Sequence, residues 1–427
     1  MSMLNDIQEL VSAEVISRET GDKIRDYYRN KRGLSINWLY LVFGVLGAIL
    51  VGLGIILLIA HNWDELSLTV KTGIAFLPLI AAQILSGFSL IKKRQSVSWR
   101  ESSSVLLFFA VGACISMISQ IYHIPGNLSA FILTWVLLCL PLIYLMSSSI
   151  VSLFYLIGIT YYACETGYWS SPVSESYTYW LLLLPDLPHY YQLYKKKHGS
   201  NFMTFHNWFI PLSLVISLGT LSNSNPEFMY IAYFNLFAFL YLLGNLKFLT
   251  KQKLTDNGYL ITGTMGTLIL LLMLSFDWFW KELENKSFRF NELMLSPEFI
   301  ASAVFLLAAG SLFYTGQKRK AIRDIHPVAV VFILFMITFF IGRISGISVV
   351  LINLYVFAIG ILTILDGVKR NHLGVLNFGL LIITALVICR FFDEAISFVF
   401  RGILFVSVGI GFFATNQMIL KRRKANG

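Results

Sequence analysis

The chain has 427 residues, of which 56% are hydrophobic and only 13% are charged, and its net charge is +10. A water-soluble core cannot hide this much apolar surface, so the composition excludes a soluble globular protein and predicts an integral membrane protein. The basic residues stand in short segments beside apolar runs. This placement indicates topology signals and contacts with anionic lipids in the bilayer, and it argues against nucleic-acid binding.

The first 35 residues are polar or amphipathic and precede the first apolar run. Apolar residues recur there at helical spacing, as at Ile7 and Val11, and Ser17 is a candidate N-cap for a second short helix. We predict a cytoplasmic helical hairpin over residues 1–35. It either packs on the cytoplasmic loops or binds a protein partner.

Apolar runs of about 17 to 25 residues are long enough to cross a bilayer as helices. They predict an all-α fold, a polytopic transmembrane helical bundle of about 14 spans. The predicted spans are 36–60, 69–91, 102–122, 128–146, 148–164, 177–194, 203–222, 227–249, 257–276, 297–315, 326–345, 347–365, 372–389 and 397–418. Two links, at 147–149 and at Gly346, are so short that the count falls if they are buried hairpins.

Lysine and arginine are concentrated in every second gap between these apolar runs. With the N-terminus inside, about 26 of the 33 basic residues fall in cytoplasmic segments, which is the bias that the positive-inside rule predicts. Both termini are then cytoplasmic. We divide the chain into the cytoplasmic segment 1–35, an N-terminal transmembrane region 36–164, and a remaining bundle with a basic tail, 165–427.

Sequence motifs exclude several chemical classes. The four cysteines lie inside apolar runs without CxxC or Cys/His pairing, so we expect neither a disulfide nor a metal site, and no cofactor. The phosphate-binding GxxxxGK[ST] pattern, HExxH and GxSxG are absent from the sequence, which disfavours an ATP-driven pump and the familiar hydrolases.

Polar residues suited to chemistry gather at helix ends on the predicted outer side. The first predicted span ends in His61, Asn62, Trp63 and Asp64. The third ends in Gln120, Tyr122 and His123. They are either ordinary interface residues or a convergent acid, base or metal site.

Basic residues also occur on this outer side, where positive charge is avoided. They are Arg343, Arg390 and Arg401. Arg401 lies within a predicted span and either pairs with Asp393, Glu394 or another acid, or lines an outer vestibule that binds an anion. In the largest outer loop, we expect Trp278 and Trp280 to anchor the chain at the membrane interface.

The sixth predicted span holds a second candidate site. Pro185 and Pro188 remove backbone donors, and Asp186 and His189 lie beside them. Asp186 is nine residues from the inner lysines, about 13 Å at the helical rise. An acid at this depth is either a proton or cation site, or part of a kinked helix whose polar groups reach the interface.

The triplet His61, Asn62, Trp63 recurs as the segment 206–208. A match of three residues is poor evidence of an internal repeat. We therefore attribute the recurrence to chance.

The residues of the first third resemble a known family. The similarity is carried by a glycine-rich opening span that ends in His-Asn-Trp-Asp, by the Ser-Gln-Ile-Tyr-His run at 119–123, and by several single positions. These positions are Ile16, Ser17, Tyr27, Tyr28, Trp99, Glu101, Ser102, Trp135, Pro141 and Tyr144. The region resembles the bacterial predicted membrane proteins of domain of unknown function 2157. The resemblance implies a bacterial inner-membrane protein and assigns no activity.

Three functional hypotheses follow. The leading one is a transporter or lipid-handling protein with a polar site in the bundle. The alternatives are a membrane-embedded enzyme with an outer-face site at His61, Asp64 and His123, and a non-catalytic scaffold or sensor whose residues 1–35 dock a partner.

Overall fold

The structure is a computed structural model that describes residues 7, 10–33, 38–61, 67–169, 177–223, 225–246, 249, 253–284, 286, 293–317, 326–392 and nine positions between 399 and 413. For residues 25, 27–33, 38–39 and 55–61 it describes the backbone alone. The secondary structure in these ranges is helical. The chain forms two compact units, residues 1–155 and 156–427.

The predicted N-terminal hairpin contains helix α1 (Arg18–Gly33). Ser17 caps it as expected, because its hydroxyl accepts a hydrogen bond from the Thr20 N–H at 3.3 Å. Gly21 faces the preceding segment so closely that a Cβ there would lie 2.7 Å from Val11. The buried side chain of Ile7 also lies next to Gly21. The absence of a side chain at Gly21 therefore allows the two parts of the hairpin to pack closely.

The first unit is built around one central helix. Its other helices are α2 (Trp38–His61), α3 (Leu68–Lys92), α5 (Leu128–Leu145) and the first part of α6 (Ser149–Cys164). The central helix, α4 (Val97–Ile121), packs against α2, α3 and α5. The small residues that we noted in α2 serve this packing: a Cβ at Gly44 would lie 2.7 Å from the Ser102 hydroxyl.

A buried glutamate ties α4 to the start of α6. Glu101 is only 2% exposed and accepts hydrogen bonds from the Ser148 hydroxyl (2.5 Å), the Ser149 N–H (3.0 Å) and the Ile150 N–H (3.1 Å). Its carboxylate therefore satisfies amides at a helix N-terminus, where negative charge is favourable. Arg100 adds a bond from its guanidinium to the carbonyl of Met146 at 3.3 Å. The short link at 147–149 is thus a turn at the same end as the start of α4, with Ser148 and Ser149 buried and Ser147 exposed.

The second unit holds the remaining helices. They are α7 (Thr178–Leu183), α8 (Leu187–Lys197), α9 (Asn201–Gly219), α10 (Phe228–Gly244), α11 (Gly258–Met273), α12 (Trp278–Glu284), α13 (Pro297–Gln317), α14 (Val331–Gly342), α15 (Ile347–Lys369) and α16 (Leu373–Phe391). Helix α10 packs on α11, α13 and α14, and α15 packs along α16. Glycines allow two of these close approaches, since a Cβ at Gly263 or at Gly379 would lie within 3 Å of backbone atoms of the facing helix.

Helix α12 turns back into the second unit, bent by 74° from α11. The Trp280 indole is 2% exposed, packs on Gly342 and donates to the Leu274 carbonyl at 2.8 Å. The prediction that Trp280 anchors the chain at the membrane interface is therefore wrong. Trp278 is 47% exposed and stays compatible with that role. The indole of Trp280 is buried because the bend directs α12 toward the aromatic core, where Phe234 stacks on Phe335.

The helices confirm a helical membrane bundle. By length and composition, eight helices in the described part of the chain can cross a membrane, or up to nine if α11 and α12 form one span. Three further apolar helices there are shorter, 40–54, 228–244 and 331–342. The count of 14 and the orientation stay predictions, and most of the last predicted span, 397–418, lies outside the described residues.

Candidate functional site

The candidate site begins at a change of helix type. Between α7 and α8, residues Leu184–Asp186 form a turn of 3₁₀-helix, and the Leu187 N–H bonds to the Leu184 carbonyl. Pro188 has no N–H to make the α-helical bond to that carbonyl, so the tighter bond satisfies it instead. The helix axis therefore continues from Thr178 to Lys197 with a local distortion at Asp186.

This distortion holds Asp186 inside the second unit. The residue is 1% exposed, and its carboxylate lies close enough to the phenols of Tyr179 and Tyr259 to interact electrostatically with both. Tyr179 continues the polar contacts, because its hydroxyl and that of Ser213 are 2.6 Å apart. Thr160 shares the same Ser213 hydroxyl at 2.6 Å. Asp186 is thus a buried acid within electrostatic range of two phenols.

Two histidines face each other near this acid. Residues 198–200 connect α8 to α9 in a tight turn, and Ser200 caps α9 by accepting from the Met203 N–H at 3.3 Å. The turn brings His189 and His206 to the same level, with ring centroids 5.9 Å apart. Both are buried, at 5% and 0% exposure. The His206 Nδ1 bonds to the Phe202 carbonyl at 2.7 Å, so this nitrogen carries the proton and the acceptor of the neutral ring is Nε2.

A hydrogen-bonded chain leads from this site toward the loop before α11. The Tyr190 and Tyr259 ring centroids are 6.5 Å apart, and the Tyr190 hydroxyl donates to the Asn207 side-chain oxygen at 2.8 Å. The Asn207 amide nitrogen then donates to the Asp256 carbonyl at 3.0 Å. Because Asp256 is partly exposed, this polar chain joins buried groups to the surface.

The structure brings together the inner candidates and adds residues that the sequence analysis did not assign. His206 and Asn207 belong to the triplet that we attributed to chance, and the sequence analysis assigned no role to Tyr190 or Tyr259. One sequence feature is related to this contact. A Cβ at position 258 would lie 2.4 Å from the Asn207 carbonyl oxygen, so the glycine at this position allows α9 to approach α11. Among the described residues, no group of three or more His, Cys, Asp or Glu side chains is placed to hold a metal ion.

The outer candidates are only partly described. Tyr122 and His123 are exposed at the end of α4, and the Tyr122 hydroxyl lies 3.1 Å from that of Thr72. Gln120 lines an open groove of about 980 Å³ formed by α3, α4 and α5. The side chain of His61 and residues 62–64 lie outside the described part of the chain, so the convergence of these motifs stays a prediction.

Two of the three outer arginines contact the segment around α12. Arg343 donates to the Lys286 carbonyl at 3.4 Å, and Arg390 donates to the Ser275 hydroxyl at 3.0 Å. The Arg390 guanidinium also lies 4.5 Å from the centroid of the Phe276 ring. These contacts give both arginines a role in holding the bent segment. Arg401 lies outside the described residues, and anion binding by this group stays a prediction.

The fold defines an all-helical integral membrane protein with a buried polar site. The family described as "Predicted membrane protein (DUF2157)" matches residues 8–152 and confirms the resemblance that the sequence predicted. The match coincides closely with the first compact unit, so the site around Asp186 lies beyond it. No curated protein and no solved structure matches the chain.

Proposed function

We propose that this membrane protein is a proton-coupled transporter in which Asp186 is the proton-binding group. The observation that carries the proposal is the combination of a 1% exposed acid and a local 3₁₀ turn on the helix that holds it. Burying a carboxylate among apolar helices is costly, and intramembrane acids therefore mark proton or ion pathways. A distorted helix near the middle of a bundle is also where transporters place their binding sites.

Polar groups lie beside the proposed proton site. The Tyr190 phenol donates to the Asn207 amide oxygen, and the Asn207 amide nitrogen donates to the Asp256 carbonyl. The buried His189 and His206 rings lie beside these groups, with centroids 5.9 Å apart. In this proposal, protonation neutralises Asp186 and lowers the cost of moving α7 and α8 against α9 and α11.

Replacing Asp186 by asparagine is expected to abolish proton uptake, because asparagine has nearly the same shape but cannot bind a proton. We would reconstitute the protein in liposomes that contain a pH-sensitive dye and impose an inside-negative potential. Asp366→Asn is the matched control, since Asp366 pairs with Arg370 at 2.8 Å in a partly exposed i, i+4 contact. Wild type and the control should acidify the lumen, whereas Asp186→Asn should behave like empty liposomes.

Infrared difference spectra between two pH values would report the same group directly. A carboxyl band present in wild type and in Asp366→Asn, and lost in Asp186→Asn, assigns the titrating proton to Asp186. Proton uptake by Asp186→Asn at the wild-type rate would exclude the proposed site. Absence of proton uptake by the wild type would instead favour the scaffold hypothesis, with residues 1–35 as the docking segment.

A further inference from the structure

Helix α3 carries a seam of residues on one open face. The seam follows the alternating steps of four and three that define a heptad repeat, with Phe76 and Gln83 in one set and Gly73, Ile80 and Gly87 in the other. This face is open: Phe76 is 42% and Ile80 is 52% exposed, and Gln83 borders the groove beside α4 and α5. The buried side of α3, with Ala75 and Ala82, faces α4 on the opposite side.

Gln83 is a polar group in the middle of a membrane span. Its neighbour Ala82 packs at the level of Leu107 and Ala110, near the centre of α4, so the amide lies at about mid-depth. Gln83 is exposed, and no described residue forms a hydrogen bond with its amide. Lipid chains at this depth have no donor or acceptor, so an amide left without a partner in hydrocarbon is unfavourable. We therefore expect the amide to form a hydrogen bond with a polar group other than the described residues of the same chain.

The rest of the seam has room for a close neighbour. A Cβ at Gly73 or at Gly87 would meet no described atom within 4 Å. Only 22% of the apolar window of α3 is buried, whereas 56% of that of α4 is. Small residues at such spacing let two transmembrane helices approach closely.

We propose that the α3 seam pairs with the α3 seam of a second copy of this chain, with the two Gln83 amides hydrogen-bonded across a two-fold axis. Glutamine carries both a donor and an acceptor, so it complements itself. A two-fold axis along the membrane normal places both copies of Gln83 at the same depth, and residues of the Gln83 set in a heptad face their own counterparts. A single polar residue at such a position fixes the register of the pair.

Photo-cross-linking in membranes tests the pairing in the otherwise native chain. A photoreactive phenylalanine analogue at Ile80 should give a product of twice the chain mass whose peptides all come from this protein. The matched control is the same analogue at Leu85, which is 40% exposed on α3 but faces away from the seam. Equal products at both positions, a product with another protein, or no product at Ile80 would overturn the proposal.

Two substitutions separate the pairing from folding. Gln83→Leu keeps the apolar volume and removes the amide, and we expect it to weaken association by roughly three- to thirtyfold. Gly87→Leu should block the close approach, and we expect the unit itself to stay folded because a Cβ at this position meets no described atom within 4 Å. Energy transfer between labelled copies, measured as the lipid-to-protein ratio rises, reports association in each variant. Unchanged transfer in both variants contradicts the inference, whatever the Asp186 experiments show.

Discussion

Replacing Glu101 by leucine is expected to lower the free energy of unfolding of the first unit by about 3 to 5 kcal/mol. The substitution removes the acceptor of three donors, from Ser148, Ser149 and Ile150, and leaves them buried at the start of α6. The turn that joins α5 to α6 then loses the hydrogen bonds that stabilise it. Ser147 in that turn adopts a left-handed conformation with φ 49°, which is uncommon for a residue other than glycine, so the turn depends on those hydrogen bonds. Thermal unfolding in detergent, followed by circular dichroism, measures the loss.

Two controls make the Glu101 result specific. Glu101→Gln keeps the volume and one acceptor oxygen, so it should cost less than the leucine variant. Glu19→Gln changes an exposed residue that pairs with Lys23, and we expect a change within about 0.5 kcal/mol. A leucine variant as stable as wild type would show that the carboxylate does not hold the turn.

Replacing Gly263 by leucine is expected to destabilise the second unit by about 3 kcal/mol or more. A Cβ at this position would lie 2.5 Å from the Tyr241 nitrogen and 2.7 Å from the Phe237 carbonyl oxygen. These are backbone atoms of α10, and they cannot rotate away as a side-chain tip can. The two helices must therefore separate, which opens the core that α10 shares with α13 and α14.

Gly310→Leu on α13 provides the matched control for Gly263→Leu. It is the same change within a helix, but a Cβ at Gly310 meets no described atom within 4 Å. We expect the control to fold and accumulate like wild type, while Gly263→Leu loses folded protein in fluorescence-detected size-exclusion chromatography. Equal behaviour of the two variants would contradict the close packing of α10 and α11.

Parts of the candidate site were accessible from sequence because their signals are local. Two prolines three residues apart predicted the distortion, and Asp186 and His189 stand beside them in the chain. His206 and Tyr259 could not be found in this way. Each is a single residue in an ordinary helix, and only the turn at 198–200 and the approach of α9 to α11 bring them to the site.

The misplaced Trp280 shows the same limit. Tryptophan beside an apolar run usually indicates the membrane interface, and that rule describes the average position of the residue type. The rule fails for Trp280 because the 74° bend between α11 and α12 directs its indole into the core. The bend is stabilised by contacts with Gly342, Arg390 and other residues far along the chain.

By itself the sequence determined that the chain is a helical membrane protein and where most helices begin and end. It could do so because each helix satisfies its own backbone hydrogen bonds, so long apolar runs and local caps decide it. The tertiary structure alone decided which polar groups meet: Glu101 with the start of α6, and His189 with His206. These contacts depend on which helix faces pack together. Glycines and side-chain shapes that are distant in sequence determine this packing.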